Sequence, residues 1–233
     1  MKQHDMKNKG SLNLAKSIVL GGSLMVAFTG AANAGAILSA VGGTINSSGP
    51  GFGSLQDTFD QSGLLSGYTS GVTDFDTYIG TNPLHTSTFA GNEWFSNSGS
   101  NTASVTYDLG AVYSIDALAL WNEEAAGIGL LDLYGSSDGV NFSLLSGGVT
   151  PTDHPTHPYD YSADVFGFGA ALLQYVRLDM SRCPQQPGDF DSCAIGEVAF
   201  RQATQVPEPG TLALLALGLG GLVTVGRRKH KEQ

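Results

Sequence analysis

The sequence predicts an all-β fold, a two-layered β-sandwich, on three observations. Between residues 35 and 205 no stretch sustains the 3.6-residue apolar period of an amphipathic helix. Short runs alternate apolar with polar residues instead, the pattern of strands with one buried face. Clusters of Gly, Ser, Asn and Asp separate these runs, as turns do. Many short strands joined by turns pack as a sandwich rather than as a bundle.

The elements follow in order. Residues 42–54 are rich in Gly and Ser and read as a loop or a loose first strand. Ala103, Val105, Tyr107 and Leu109 then point one way, while Ser104, Thr106 and Asp108 point the other, which makes a half-buried strand. Residues 115–121 are apolar on both faces, as a central strand requires. Residues 130–134 lead into Gly135-Ser136-Ser137-Asp138-Gly139, a turn signal, and 142–145 return as the second strand of a hairpin. Val176, Leu178 and Met180 alternate with Arg177 and Asp179, and 195–200 form the last strand.

Both ends differ from this body. Lys2, Lys7, Lys9 and Lys16 precede a short apolar run over 18–28, followed by Ala32-Asn33-Ala34 and Gly35. A basic start, a short apolar stretch and a small-residue site make a secretory signal peptide over 1–34, cut between Ala34 and Gly35. The run falls short of the ~20 residues that span a bilayer. No Arg-Arg pair precedes this apolar run, which favours the general export machinery over the twin-arginine route. At the other end, Pro207-Glu208-Pro209 leads into an apolar run over 212–225, and Arg227-Arg228-Lys229-His230-Lys231 follows. Fourteen helical residues reach about 21 Å, against about 30 Å of hydrocarbon. The tail is therefore expected to hold the inner membrane only transiently, with its basic end in the cytoplasm and the body outside.

This layout over 206–233 resembles the PEP-CTERM sorting signal of Gram-negative bacteria, with Pro207, Glu208 and Pro209 as the motif. The resemblance implies recognition by an exosortase, a membrane-embedded protease or transpeptidase. It further implies a destination at the cell surface or in the extracellular matrix. A permanent single-span anchor is the alternative.

Setting both ends aside changes the charge balance. The chain carries 11 Lys and Arg against 21 Asp and Glu, yet residues 35–205 keep only Arg177, Arg182 and Arg201 against 18 carboxylates, a formal charge of −15. Such a surface repels phosphate backbones and excludes nucleic acid as a partner. It suits solubility and divalent cations. The 171 residues suffice for one domain with a sizeable core. Cys183 and Cys193, the only cysteines, lie in a loop-like stretch; in an oxidising compartment a disulfide is expected, with metal binding the lesser reading.

Within the body, Val105-Thr106-Tyr107-Asp108-Leu109-Gly110, Ile115-Asp116-Ala117-Leu118, Ser137-Asp138-Gly139-Val140-Asn141-Phe142, Tyr175-Val176-Arg177-Leu178 and Ile195-Gly196-Glu197-Val198 occur in order. Together they resemble the discoidin family (coagulation factor 5/8 C-type, galactose-binding-like) over about residues 90–200. The resemblance implies a jelly-roll sandwich with ligand loops at one end. The sequence departs from the family in having Phe142 where Trp is usual, and in lacking the pairing of an N-terminal with a C-terminal cysteine. The family also implies a structural Ca²⁺ between an early loop and the last strand, for which Asp74, Asp76 and Glu197 are the candidate ligands.

Catalytic patterns are sparse. No G-x-S-x-G elbow, H-E-x-x-H helix or P-loop occurs. The glycines of 49–53 open no helix, so phosphate binding is not expected. His154 and His157 have an H-x-x-H spacing between prolines, where a solvated loop is the preferred reading over zinc. Glu123 and Glu124 form an adjacent acidic pair expected to face water. Trp121, beside them, either closes the core behind the small Ala117 and Ala119 or stacks on a sugar whose hydroxyls the carboxylates accept. Trp94, Tyr159 and Tyr161 carry the same two readings. The expectation is an exported, non-catalytic surface or matrix protein that binds carbohydrate or exopolysaccharide. The alternatives are a structural matrix or biofilm protein without a specific ligand, and a secreted hydrolase.

Overall fold

A computed structural model describes residues 35–204 apart from 89, 156 and 187–189. The expected signal peptide and the sorting tail with its 212–225 span lie outside the described residues. Eleven strands and two short helical turns occur among them. In chain order these begin with β1 (Ile37–Leu38), β2 (Gly42–Ser47), β3 (Phe52–Gly53), a 3₁₀ turn at Leu55–Thr58, and helix α1 (Phe75–Gly80). After them come β4 (Leu84–His85), β5 (Trp94–Phe95), β6 (Thr102–Asn122), β7 (Leu130–Ser136) and β8 (Ser143–Val149). The last three are β9 (Tyr161–Ser162), β10 (Asp164–Ser181) and β11 (Ala194–Gln202). Among the described residues, no helix is long and apolar enough to cross a membrane.

The all-β sandwich read from the sequence is the architecture found, with one revision. The two strands expected at 103–109 and 115–121 are a single strand of 21 residues, β6. Its partner β10 runs antiparallel to it from Asp164↔Leu120 to Ser181↔Thr102, with register shifts between Gly167 and Ala171 and between Leu173 and Tyr175. Gly110, at φ +81°, and the Asp108 carboxylate that accepts its N–H at 2.7 Å mark the irregular middle of β6. Positive φ is tolerated there because glycine has no Cβ to clash. The interruption that reads as a loop in the sequence is thus a bend within a strand.

On either side of the bend the two strands serve different layers. The first half of β6 pairs with β2, and the second half of β10 with β7, which is followed by β8. The second half of β6 pairs with β11, whose far edge holds β1 and β5. Register places Leu178 opposite both Val105 and Leu133, and Val176 opposite Tyr107. These meet Leu118, Leu120, Val198 and Phe200 of the other layer in one buried core. The Tyr107 and Phe200 rings pack edge to face at 6.1 Å. The Tyr107 hydroxyl is satisfied by Thr58 Oγ1 at 2.8 Å, as a buried phenol requires.

Layer two is buried on its outer face as well. Ala117, Ala119, Trp121 and Ala199 pack there with Ile37, Tyr161, and Phe75 and Tyr78 of α1. Three alanines leave room for the larger rings, which explains the apolar character of 115–121 on both faces. Helix α1 is too short to show a helical period in the sequence; Asp74 caps it by accepting the Thr77 N–H at 2.8 Å. The 135–139 turn is built as expected. The Asp138 carboxylate accepts from Val140 N, Asn141 N and Asn141 Nδ2, and these donors hold it well below the usual carboxylate range. Phe142 and Tyr134 both face the Arg177 guanidinium, at 4.9 and 4.4 Å.

Cys183 and Cys193 form the expected disulfide. The loop it closes is tied to its surroundings by Cys193 N to Ser96 Oγ at 2.9 Å, Gln185 N to Gly127 O at 2.9 Å and Asn122 Nδ2 to Gln185 Oε1 at 2.9 Å. Replacing both cysteines by Ser is expected to lower unfolding stability by about 3 kcal/mol or less, the range for so short a closed loop. Urea unfolding under non-reducing conditions checks this, and equal midpoints for mutant and wild type would refute a stabilising role.

Candidate functional site

Register places several loops at one end of layer two. Asn122 ends β6 opposite Ile195 at the start of β11, Ile195 pairs with Trp94 of β5, and β10 begins opposite Leu120. The segments that meet here therefore include the lead into β5, the turn leaving β6 and the disulfide loop. Asn122 binds them together: its amide donates to Thr152 O at 3.0 Å and accepts from Ile128 N at 2.8 Å.

Two features occupy this end. The first is an open cleft of about 400 Å³ between β3, β5 and the disulfide loop, lined among others by Phe52, Asn97, Ser98, Phe190 and Asp191. Phe52 and Phe190 are 59% and 43% exposed and flank the buried Phe95, with ring centroids 6.5 and 5.2 Å from it. Gly51 makes this approach possible. A Cβ on it would lie 1.8 Å from the Phe95 carbonyl, and its φ is +77°. Asn97 fixes the same turn by accepting from Gly51 N at 3.0 Å and donating to Gly49 O at 2.8 Å. Sequence reading passed over Phe52 and Phe190; the Gly-Pro-Gly-Phe-Gly run was the available signal, read only for phosphate.

The second feature is a buried group of carboxylates. Glu93, Glu123 and Glu124 bring ligand oxygens within 4.8 Å of one another, the one such group of His, Cys, Asp or Glu found among the described residues. Their exposures are 1%, 3% and 6%, so the pair expected to face water is inside. Tyr161 donates its hydroxyl to Glu93 Oε1 at 2.7 Å. Burial pushes Glu93 up to about 8, with the Tyr161 hydrogen bond opposing and Glu124 adding. Glu123 is also raised, by burial and then by its acidic neighbours, although Ala125 N and Ala126 N donate to it. His85 Nδ1 lies 3.7 Å from Glu93, but burial lowers its pKa to about 4. It is neutral, and the approach is no ion pair.

The remaining expectations are placed as follows. Trp94 and Trp121 are fully buried, and each indole donates to a backbone carbonyl, of Pro50 and Pro83, at 2.9 Å. Trp94 lies in the core between the layers, and Trp121 is enclosed on the outer face of layer two with Phe75, Tyr78 and Tyr161. Tyr161 is likewise enclosed, whereas Tyr159 is exposed. His154 is half-buried against the Tyr161 ring at 5.6 Å, and His157 Nδ1 lies 3.3 Å from Ser87 Oγ. The two histidines belong to no group of three metal-ligating side chains among the described residues. Asp74, Asp76 and Glu197 do not converge. Asp74 caps α1, Asp76 pairs with Arg201 at 2.9 Å, and buried Glu197 accepts from Gln61 N at 3.0 Å with Oε1 unpartnered.

Residues 205–229 match the PEP-CTERM protein-sorting motif. No curated protein is significantly similar to the chain. Among solved structures, chitosan-binding module 1 of a chitosanase/glucanase from Paenibacillus sp. IK-5 is 20% identical, covering 70% of this chain and 95% of that one, with a TM-score of 0.45. CpGH89CBM32-5 from Clostridium perfringens, in complex with GalNAc-β-1,3-galactose, is 17% identical over 70% and 94% of the two chains, with a TM-score of 0.45. The CBM32 of AlyQ, in complex with 4,5-unsaturated mannuronic acid, is 16% identical over 72% and 98%, with a TM-score of 0.45.

Tyr161→Phe keeps the ring and removes the hydroxyl that donates to Glu93. Leaving that buried carboxyl without its donor is expected to cost about 1–3 kcal/mol, measured by urea unfolding of the metal-free protein. Unchanged stability would show that the ring alone matters.

Proposed function

We propose that the chain is an exported, non-catalytic protein that binds carbohydrate through the Phe52–Phe190 cleft and is processed at its C-terminal motif by an exosortase. The cleft carries the reading. Two partly exposed aromatic rings, both packed on Phe95, give the cleft apolar surface of the kind that sugar C–H groups pack on. Ser98 and Asp191 beside them offer a hydroxyl and a carboxylate to sugar hydroxyls. A charge of −15 over 35–205 disfavours polyanionic uronate chains and favours neutral or amino-bearing glycans. A glycosidase needs two carboxyl groups flanking an accessible bond. Among the described residues the cleft has Asp191 alone, and the glutamate group is enclosed, which supports a binding role over hydrolysis.

The sorting motif supports export, with the signal-peptide pattern at 1–34 as the route and transient anchoring through 212–225. Loss of the tail would then release the body to the cell surface or matrix.

Phe190→Ala and Phe52→Ala are each expected to weaken glycan binding at least about tenfold, by analogy with the 1–3 kcal/mol scale of aromatic stacking, while leaving Tm within a few degrees. A glycan array followed by calorimetry tests this; a chain that binds no glycan is a structural component instead. Glu208→Ala is expected to leave export intact and to accumulate a longer species in the inner membrane. Equal masses and equal fractionation for mutant and wild type would reduce the tail to a plain anchor.

A further inference from the structure

We propose that Glu93, Glu123 and Glu124 form a site for a hard divalent cation of the calcium class, fastening the lead into β5 to the turn that leaves β6. The geometry is that of one ion's coordination sphere. Ca²⁺ holds oxygens at about 2.3–2.6 Å, so two of its ligands are at most about 5 Å apart. The three carboxylates meet that limit, with ligand oxygens mutually within 4.8 Å.

Glu93 supplies the observation that the adjacent pair alone does not. It arrives from a different segment, is 1% exposed, and reaches the Glu123–Glu124 pair with Oε2 lacking any hydrogen-bond partner. Glu124 Oε2 is also buried and unpartnered. Buried polar atoms are nearly always satisfied, so an orphaned oxygen on each of two of these three gathered glutamates marks a place for a ligand. Glu123 Oε2 accepts from Ala125 N and Ala126 N, which fixes this carboxyl against the turn.

Among the described residues no arginine pairs with these glutamates, and His157 acts on Glu124 only electrostatically. The ion pairs of Arg177 go to Asp179 and those of Arg201 to Asp76 and Asp116. His85 is not a ligand either. Its Nδ1 lies 2.8 Å from the Thr86 carbonyl, and its Nε2 faces Gly63, where a Cβ would sit 1.9 Å away. The donor set is therefore all oxygen, which selects Ca²⁺-like ions over zinc or copper. Two residues on, Phe95 backs the open cleft and packs with Ala126 from the turn after Glu124. An ion here would hold the cleft's rear wall. The inference itself stands whether or not the cleft binds sugar.

The test uses the full chain, stripped with chelator, and Tb³⁺ as a luminescent stand-in for Ca²⁺. Trp94 adjoins Glu93 and Trp121 lies two residues before Glu123, so excitation of tryptophan should sensitise Tb³⁺ emission. Ca²⁺ should quench that emission by displacement. At a hundred times Kd, Ca²⁺ should raise Tm by about 5–10 °C. Glu124→Gln and Glu93→Gln should each weaken Ca²⁺ at least about tenfold. Each should also raise the metal-free Tm, because one of three crowded buried carboxyls is gone, which separates loss of binding from loss of fold. Glu197→Gln should leave the Ca²⁺ response unchanged. Absence of any Tb³⁺ emission or Tm shift at millimolar ion overturns the proposal. So does wild-type affinity in both Gln variants, or loss of the response in Glu197→Gln.

Discussion

The continuous pairing of β6 with β10, from Thr102↔Ser181 to Leu120↔Asp164, is the constraint on which the rest of the structure depends. Each strand changes neighbours at its bend, so both layers grow from one pair of strands. The core is then enclosed without a separate connection between sheets. Val105, Leu178 and Leu133 lie in register on one layer, and Leu118, Leu120 and Phe200 face them from the other, because the bend turns the second half over the first. Apolar burial of this kind is worth about 25 cal/mol per Å², and it is available here only if both bends form.

The same bend determines where chemistry is possible. The outer face of layer two is closed by α1, Ile37 and Tyr161, which consumes Trp121 as packing. The end marked by Asn122 stays open, and there side-chain amides and the disulfide hold the loops. Asn97 and Gly51 shape the cleft by backbone contact, and Cys183–Cys193 anchors the loop that carries Phe190. Rigid support of this kind limits the entropy lost when a ligand is held.

Acidity has two meanings in this chain. Surface carboxylates such as exposed Asp138 and half-buried Asp74 are satisfied by local donors and lie below the ordinary carboxylate range. Glu93 and Glu123 are displaced the other way, because burial withdraws the water that stabilises a charge. The contrast separates acids that shape turns from acids gathered in the interior.

Much of the fold was legible in the sequence, because strand alternation and turn chemistry are local. The strand of 103–109, the all-apolar run at 115–121 and the Asp138 turn each record their own surroundings. Two lone cysteines left one intramolecular pairing to make, and the sorting motif is linear by nature. Tertiary structure decided the rest. Period-2 patterning says that a residue is buried but not what lies opposite it, so Trp94 and Trp121 read as core or platform, with core preferred, until tertiary packing enclosed them. A bend and a loop both interrupt the alternation at Gly110, and only β10 pairing on either side of it distinguishes them. Glu93 stands thirty residues from Glu123 in the chain. Their meeting follows from β5 and β6 both pairing with β11, a nonlocal fact that no window of sequence contains.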